Sequence, residues 1–241
     1  MDRFFNLVPP AFYQADYTRE AKLRISRCPF SDDHLASLRR LSNLDISLKS
    51  GKGDETMLWC LQHECLVHQS LIAEFERQGL TGFRVRPATI RFPDGRVSKD
   101  YKELVVVGCG GTATPESGVR LVEGCPGCQF VRYTNVTYWP ALVDLKQWTG
   151  EDFFKVWPLP NFILVTKHVV SLLRSLRVKC YSARRLDELR GEWDFGIGVG
   201  PLSDVMPSDV ARKYGRSLGL DRHVHSKIEA QGRKGQKRGK T

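Results

Sequence analysis

The sequence lacks any long apolar run. Its longest, FILV at 162–165, is strand-sized, against the ~18–20 uncharged residues a membrane helix needs, so no membrane contact is expected. The opening stretch MDRFFNLVPPAFYQADYTRE has an early acid and no sustained apolar segment. It does not read as a secretory signal, and a cytoplasmic location is expected. An even, closely spaced cysteine set is also missing. The seven cysteines are 28, 60, 65, 109, 125, 128 and 180, which does not suit an extracellular disulfide scaffold and fits reduced thiols, some of them metal ligands.

The usual catalytic signatures are absent as well. In HECLVH, His63 and His68 are five positions apart, roughly 140° around a helix, so they cannot form the i, i+4 pair of a zinc protease. The DFG at 194–196 has no HRD loop or strand lysine to make it a kinase. GIGVGP at 196–201 and GCGG at 108–111 have neither the strand-then-helix setting nor the Gly-Lys-Ser/Thr end of a phosphate loop, and they read as turns. His168 reads as a helix-edge surface residue. No nucleophile–base set can be nominated, and no enzyme activity is expected.

What is present is an ordinary globular composition, 41% hydrophobic and 27% charged, with a formal charge of +10. Half of that charge sits in residues 221–241, where seven Lys or Arg face Asp221 and Glu229. Lacking large apolar residues after Ile228, this end is expected to be a disordered basic tail. Residues 222–240 are then expected to make at most weak, nonspecific contact with nucleic acid by counterion release.

Periodicity predicts alternating helices and strands. Residues 54–78 read as one helix, with Leu58, Leu61, Cys65, Val67, Leu71, Ile72 and Phe75 three or four apart, ended by Gly79. TGFRVRPATIRF then reads as a strand, FPDGRV as a type I′ hairpin turn, YKELVVVG as a strand and GCGGTATPESG as a loop. Beyond the cysteine turn, FVRYTNVTYW and NFILVT read as strands. Thr166 is an expected N-cap for a helix with Val169, Val170, Leu172, Leu173 and Leu176 inward, before a strand at VKCYSARRL. LIAEFERQGLTGFRVRPATI and VVSLLRSLRVKCYSARRL look like two copies of helix, turn and strand. The expected architecture is α+β: a mixed sheet with packed helices and a zinc-knuckle or ribbon-like insertion. One domain is expected over 1–220, with halves at about 1–122 and 129–220 joined by the cysteine turn at 123–128.

That turn, EGCPGCQF, sets Cys125 and Cys128 around Pro-Gly. A redox pair would need its first cysteine at a helix N-terminus, whereas the residues after Cys128 favour a strand. A zinc knuckle fits that setting, and zinc closes a structural site with four ligands. The best second half is RCPFSDDH at 27–34, where Cys28 and Pro29 match but Ser31 stands in the place of a second cysteine. The metal ligands read from sequence are therefore Cys28, Cys125 and Cys128. Asp32, His34, Cys109, Cys60 and Cys65 are candidates to complete the shell, and a small buried role for Cys28 is the alternative.

The two Cys-Pro turns, together with DFFKVWPLPNFILVTKHVVSLLRSLRV at 152–178, resemble the double-CXXCG motif family of myxobacterial paralogues, some of which are immunity proteins against Sit-type exchanged toxins. The last segment also resembles a wider group of bacterial toxin-immunity domains. The likeness runs loosely over 1–190 and most clearly over 124–185. It departs at Ser31 and at Gln129, which replaces the glycine after Cys128. It implies a structural Zn2+ on Cys125 and Cys128 with Cys28 as a third ligand, and a cytoplasmic immunity-type protein that neutralises a cognate protein toxin by binding it. The alternative reading is a nucleic-acid-associated zinc-knuckle protein using the basic tail.

Overall fold

The apolar segment 54–78 does not form one helix. In the computed structural model, which describes residues 3–10, 15–18, 22–34, 37–49, 55–60, 64–125, 127–190, 195–197, 202 and 208–217, it contains two strands before a short helix. His68 begins that helix, its ring accepting a hydrogen bond from Ser70 N–H.

In chain order the elements begin with β1 (Phe4–Val8), β2 (Ala15–Tyr17), β3 (Leu23–Ser26), β4 (Ser37–Arg40), β5 (Leu44–Leu48), β6 (Met57–Trp59) and β7 (Cys65–His68). Helix α1 (Gln69–Arg77) leads to β8 (Phe83–Arg91), β9 (Val97–Ser98), β10 (Tyr101–Val106), β11 (Gly108–Thr112), β12 (Leu121–Gly124) and β13 (Val131–Tyr133). Then come β14 (Phe153–Trp157), β15 (Ile163–Thr166), α2 (Lys167–Ser175), β16 (Ser182–Arg185), β17 (Phe195–Ile197) and α3 (Ser208–Ser217). The class is α+β with mixed sheets. None of the described helices is long and apolar enough to cross a membrane.

Two compact units divide the chain, cutting across the halves expected at 1–122 and 129–220. Unit 1 comprises Met1–Lys22, Arg40–Ser117 and Thr137–Gly191; unit 2 comprises Leu23–Arg39, Gly118–Val136 and Glu192–Thr241. The basic tail at 221–241 and most of the 194–201 glycine stretch lie outside the described residues.

In unit 1 one sheet runs β2-β5-β8-β10-β7-β6, with β9 paired to β8. A parallel bridge from Ala15 to Cys60 joins the two ends of that path. The interior so enclosed holds Leu44, Ile46, Leu58, Leu66 and Ile90. On the other face of β6 and β7, Met57, Trp59, Cys65 and Val67 enter a second core with Phe75, Phe153, Val165 and Leu173. A second sheet, β11-β14-β15-β1-β16, supplies the rest of that core.

Several polar side chains around the enclosed interior pair with one another. Buried Glu103 accepts from Arg40 and Arg86, both at 2.5 Å. Tyr17 donates its hydroxyl to Glu64. Burial raises the Tyr17 pKa, and the Glu64 hydrogen bond adds to this.

Several local expectations change. FPDGRV is not a type I′ turn. Gly95 N–H returns to Phe92 O, Phe92 N–H bonds Arg96 O, and only Gly95 has positive φ, at 86°. Proline at the first central position cannot take positive φ, so this is a three-residue loop closed by a glycine bulge. GCGGT is not a loop but β11, parallel to β14. Its glycines permit that approach, since a Cβ on Gly108 would lie 2.1 Å from Phe153 O.

The predicted strand at 130–139 shortens to β13, and VKCYSARRL supplies only the four residues of β16. Leu176 is the C-cap of α2 and 40% exposed rather than inward. Thr166 is at the N-cap but makes no side-chain cap bond. It donates instead to Asp152 Oδ1 at 2.6 Å, while Asp152 Oδ2 accepts from Thr81 N–H at 3.2 Å. Asp152→Ala breaks both links and is expected to cost about 1–2 kcal/mol, read as a lower denaturant midpoint with an unchanged slope.

The first two excursions into unit 2, Leu23–Arg39 and Gly118–Val136, leave and return through closed necks. Leu41 N–H bonds Lys22 O at 2.8 Å, and Thr137 and Tyr138 N–H both bond Ser117 O at 2.9 and 3.2 Å. Unit 2 itself contains the pair β3-β4, the sheet β12-β13-β17 and α3.

Candidate metal centre

The two cysteine turns meet within unit 2. Cys28 follows β3, Cys125 and Cys128 lie between β12 and β13, and His34 precedes β4. Their ligand atoms (three sulfurs and one ring nitrogen) all lie within 4.8 Å of one another. A tetrahedral ion with bonds of about 2.3 Å places sulfurs about 3.8 Å apart. This donor set therefore needs little contraction to hold a metal.

Each turn is locally built. Phe30 N–H donates to Cys28 Sγ at 3.4 Å. On the other side, Gln129 N–H bonds Cys125 O at 2.7 Å and Cys125 N–H bonds Phe130 O at 2.9 Å. Gln129 has φ 61°, the left-handed conformation that glycine adopts without penalty. A non-glycine residue thus holds the left-handed position that closes this turn. The Phe30 ring covers Gly127 so closely that a Cβ there would lie 2.2 Å from it, yet Phe30 is 73% exposed.

His34 takes the fourth place. Its ring stacks on Phe130, with centroids 4.7 Å apart and planes 13° from parallel. Its Nδ1 is 3.3 Å from Cys128 Sγ and its Nε2 is 3.1 Å from Glu123 Oε1. Glu123 Oε2 is in turn 3.1 Å from an Arg132 nitrogen. Donation from Nε2–H to Glu123 leaves the Nδ1 lone pair facing the sulfurs, the orientation that a carboxylate imposes on a metal-binding histidine.

The electrostatics follow from these contacts. Burial opposes ionisation of Cys28, but hydrogen bonds from Phe30 N–H, Cys128, His34 and Ser31 N–H bring its thiol down to about 7. Burial raises the pKa of Cys128. For His34, burial favours the neutral ring, but the contacts with Cys28 and Glu123 outweigh it and raise its pKa.

Of the candidates for the missing ligand, only His34 belongs to this cluster. Ser31 turns back on its own loop, accepting from Asp33 N–H at 3.2 Å, and Asp32 is exposed. Cys60 is buried in the enclosed interior of unit 1, Cys65 in its second core, and Cys109 lies on β11. The first half of the site is thus Cys28 and His34, spaced as Cys-x5-His. Its place in the segment that holds Cys28 and Pro29 was the only signal for His34. Nothing in the sequence marked Glu123 or Arg132. No protein-family model and no curated protein matches this chain, so chemistry must be read from the centre itself. The four side chains could together hold one metal ion, and four protein ligands are the usual complement of a structural site.

Proposed function

We propose that the protein is a cytoplasmic, zinc-binding immunity-type protein that neutralises a cognate toxin by binding it and catalyses no reaction. The observation that carries this reading is the closed Cys28–His34–Cys125–Cys128 set, whose thiolates and imidazole suit zinc. The zinc-knuckle character belongs to the same reading, with the ion tying the first two excursions into unit 2 together. Large apolar residues stand exposed near the turns: Leu23 and Ile25 on β3, Phe30, and Leu121 and Val122 on β12. Contiguous exposed apolar surface marks protein contacts, and the resemblance to toxin-immunity proteins names the kind of partner proposed.

The test is co-expression with the product of an adjacent reading frame that is toxic alone. The expected result is rescue of growth and a stable complex by gel filtration. Continued toxicity with abundant folded protein present, for every adjacent toxic product, would sink the reading.

Deletion of 222–241 separates this from the nucleic-acid alternative. It is expected to leave toxin neutralisation unchanged and to abolish salt-sensitive RNA retention. Loss of neutralisation together with RNA binding would favour the alternative.

A further inference from the structure

The strand register of unit 1 repeats. His68 and Thr166 are the N-caps of α1 and α2, 98 residues apart, and Gln78 and Leu176 are the C-caps. Each helix is followed by a left-handed residue, Gly79 at φ 66° and Arg177 at φ 52°. The same closing bond recurs, from Leu80 N–H to Phe75 O and from Val178 N–H to Leu173 O, each 2.9 Å.

The correspondence extends to a third strand that is not in the same chain order. β10 lies between β7 and β8, while β1 lies between β15 and β16. Tyr101 pairs with His68 as Phe4 pairs with Thr166. Glu103 sits opposite Leu66 and Arg86; Asn6 sits opposite Leu164 and Arg184, each 98 residues further on. Backbone links match too, since Gln69 N–H bonds Asp100 O at 2.8 Å and Lys167 N–H bonds Arg3 O at 3.2 Å. Leu104 and Leu7, at equivalent positions, both enter the shared core. Glu103 and Asn6 are each a buried polar residue at the middle of a central strand.

We propose that unit 1 contains two copies of one strand–helix–strand module, each closed by a central strand, and that the second copy takes as its closing strand β1, which precedes it in the chain. The first copy closes itself with β10, which follows β8. Among the described residues no strand after β16 joins that sheet, and β1 fills the place. The groove between β15 and β16 is therefore a binding site for an extended strand, whose occupant is residues 3–10. It selects Phe5 and Leu7 on the core side, and it accepts the same strand from a separate molecule by strand addition.

The test begins with the full chain carrying a protease site inserted between residues 10 and 15, cut after folding. Residues 1–10 are expected to remain bound through gel filtration. They should exchange with a labelled peptide of residues 1–12, and a Leu7→Asp peptide should compete at least ~100-fold more weakly, the scale of a lost core contact. Release of 1–10 with no change in melting temperature, or failure of the labelled peptide to enter, overturns the proposal. A second measurement tests the module equivalence in the uncut chain. Asn6→Glu places a carboxylate opposite Arg184 as Glu103 stands opposite Arg86, and it is expected to shift the melting temperature by only about 2–4 °C, the scale of ~1 kcal/mol. Adding Arg184→Ala should abolish that tolerance. An Asn6→Glu protein as unfolded as Leu7→Glu overturns the equivalence.

Discussion

A Cys125→Ser, Cys128→Ser double variant is expected to lose its metal, melt at lower temperature and expose 23–39 and 118–136 to protease while unit 1 stays protected. The wild type should carry about one zinc per chain by elemental analysis. Structural zinc contributes ~10–16 kcal/mol of apparent binding energy in isolated fingers. Here α3 and the β12-β13-β17 sheet also support unit 2, so the loss should be on the order of several kcal/mol. Chelation should reproduce it, and so should acid, because protons compete for the thiolates and for His34.

In the metal-free chain Cys28 acts in the same direction, while the raised pKa of His34 acts in the opposite one. The Cys28 thiol, held at about 7 against an ordinary 9, contributes stability that is full above its unfolded value and lost as pH falls through about 7. Two outcomes would defeat the assignment: a chain that purifies without metal, or a double variant with unchanged melting and protease resistance.

Lys155→Met is expected to stabilise the protein. Lys155 lies on β14 among buried neighbours. By strand register it takes the place that Trp59 holds in the first module, since Phe153 pairs with Val165 as Met57 pairs with Val67. Burial, with repulsion from Arg86, lowers its pKa to about 8, against a smaller opposing pull from Glu103. The ordinary lysine value is 10.5, and at 1.36 kcal/mol per pH unit this corresponds to ~3 kcal/mol of cost for keeping the charged form at neutral pH. The unfolded chain binds the proton more tightly, so wild-type stability should rise with pH between about 8 and 10.5. Below that window the full cost applies. The variant should gain most at pH 7 and lose its advantage as pH rises through the window, which denaturant titrations at pH 7 and 10 would read. Equal stabilities at pH 7 would show that Lys155 is not paying for its burial.

The same burial explains what could be read from the sequence. Helix α2 was legible because one face is apolar and the other wet: Val169, Val170, Leu172 and Leu173 are buried while Arg174 and Lys167 are exposed. Strands β6 and β7 were not, because they separate two cores. Cys65 and Val67 enter one and Leu66 the other, so no polar residue alternates to mark a period of two. Leu58, Cys65, Leu71 and Phe75 then mimic a helical spacing. β11 was hidden by its glycines, whose reason is contact with Phe153 and Phe154, partners more than forty residues away in the chain. Cys28, Cys125 and Cys128 were visible as Cys-Pro turns. His34 was only one name among several, because a ligand from a neighbouring loop is fixed by tertiary contact with Phe130 and Glu123.

The closed necks at Lys22–Leu41 and Ser117–Thr137 have a consequence for how such a chain can diversify. Whatever lies beyond each neck can be lengthened, trimmed or exchanged for foreign sequence with little strain passed to the strands below it, as long as the four donors still converge. The side chains displayed there can then change while the strands of unit 1 keep their register.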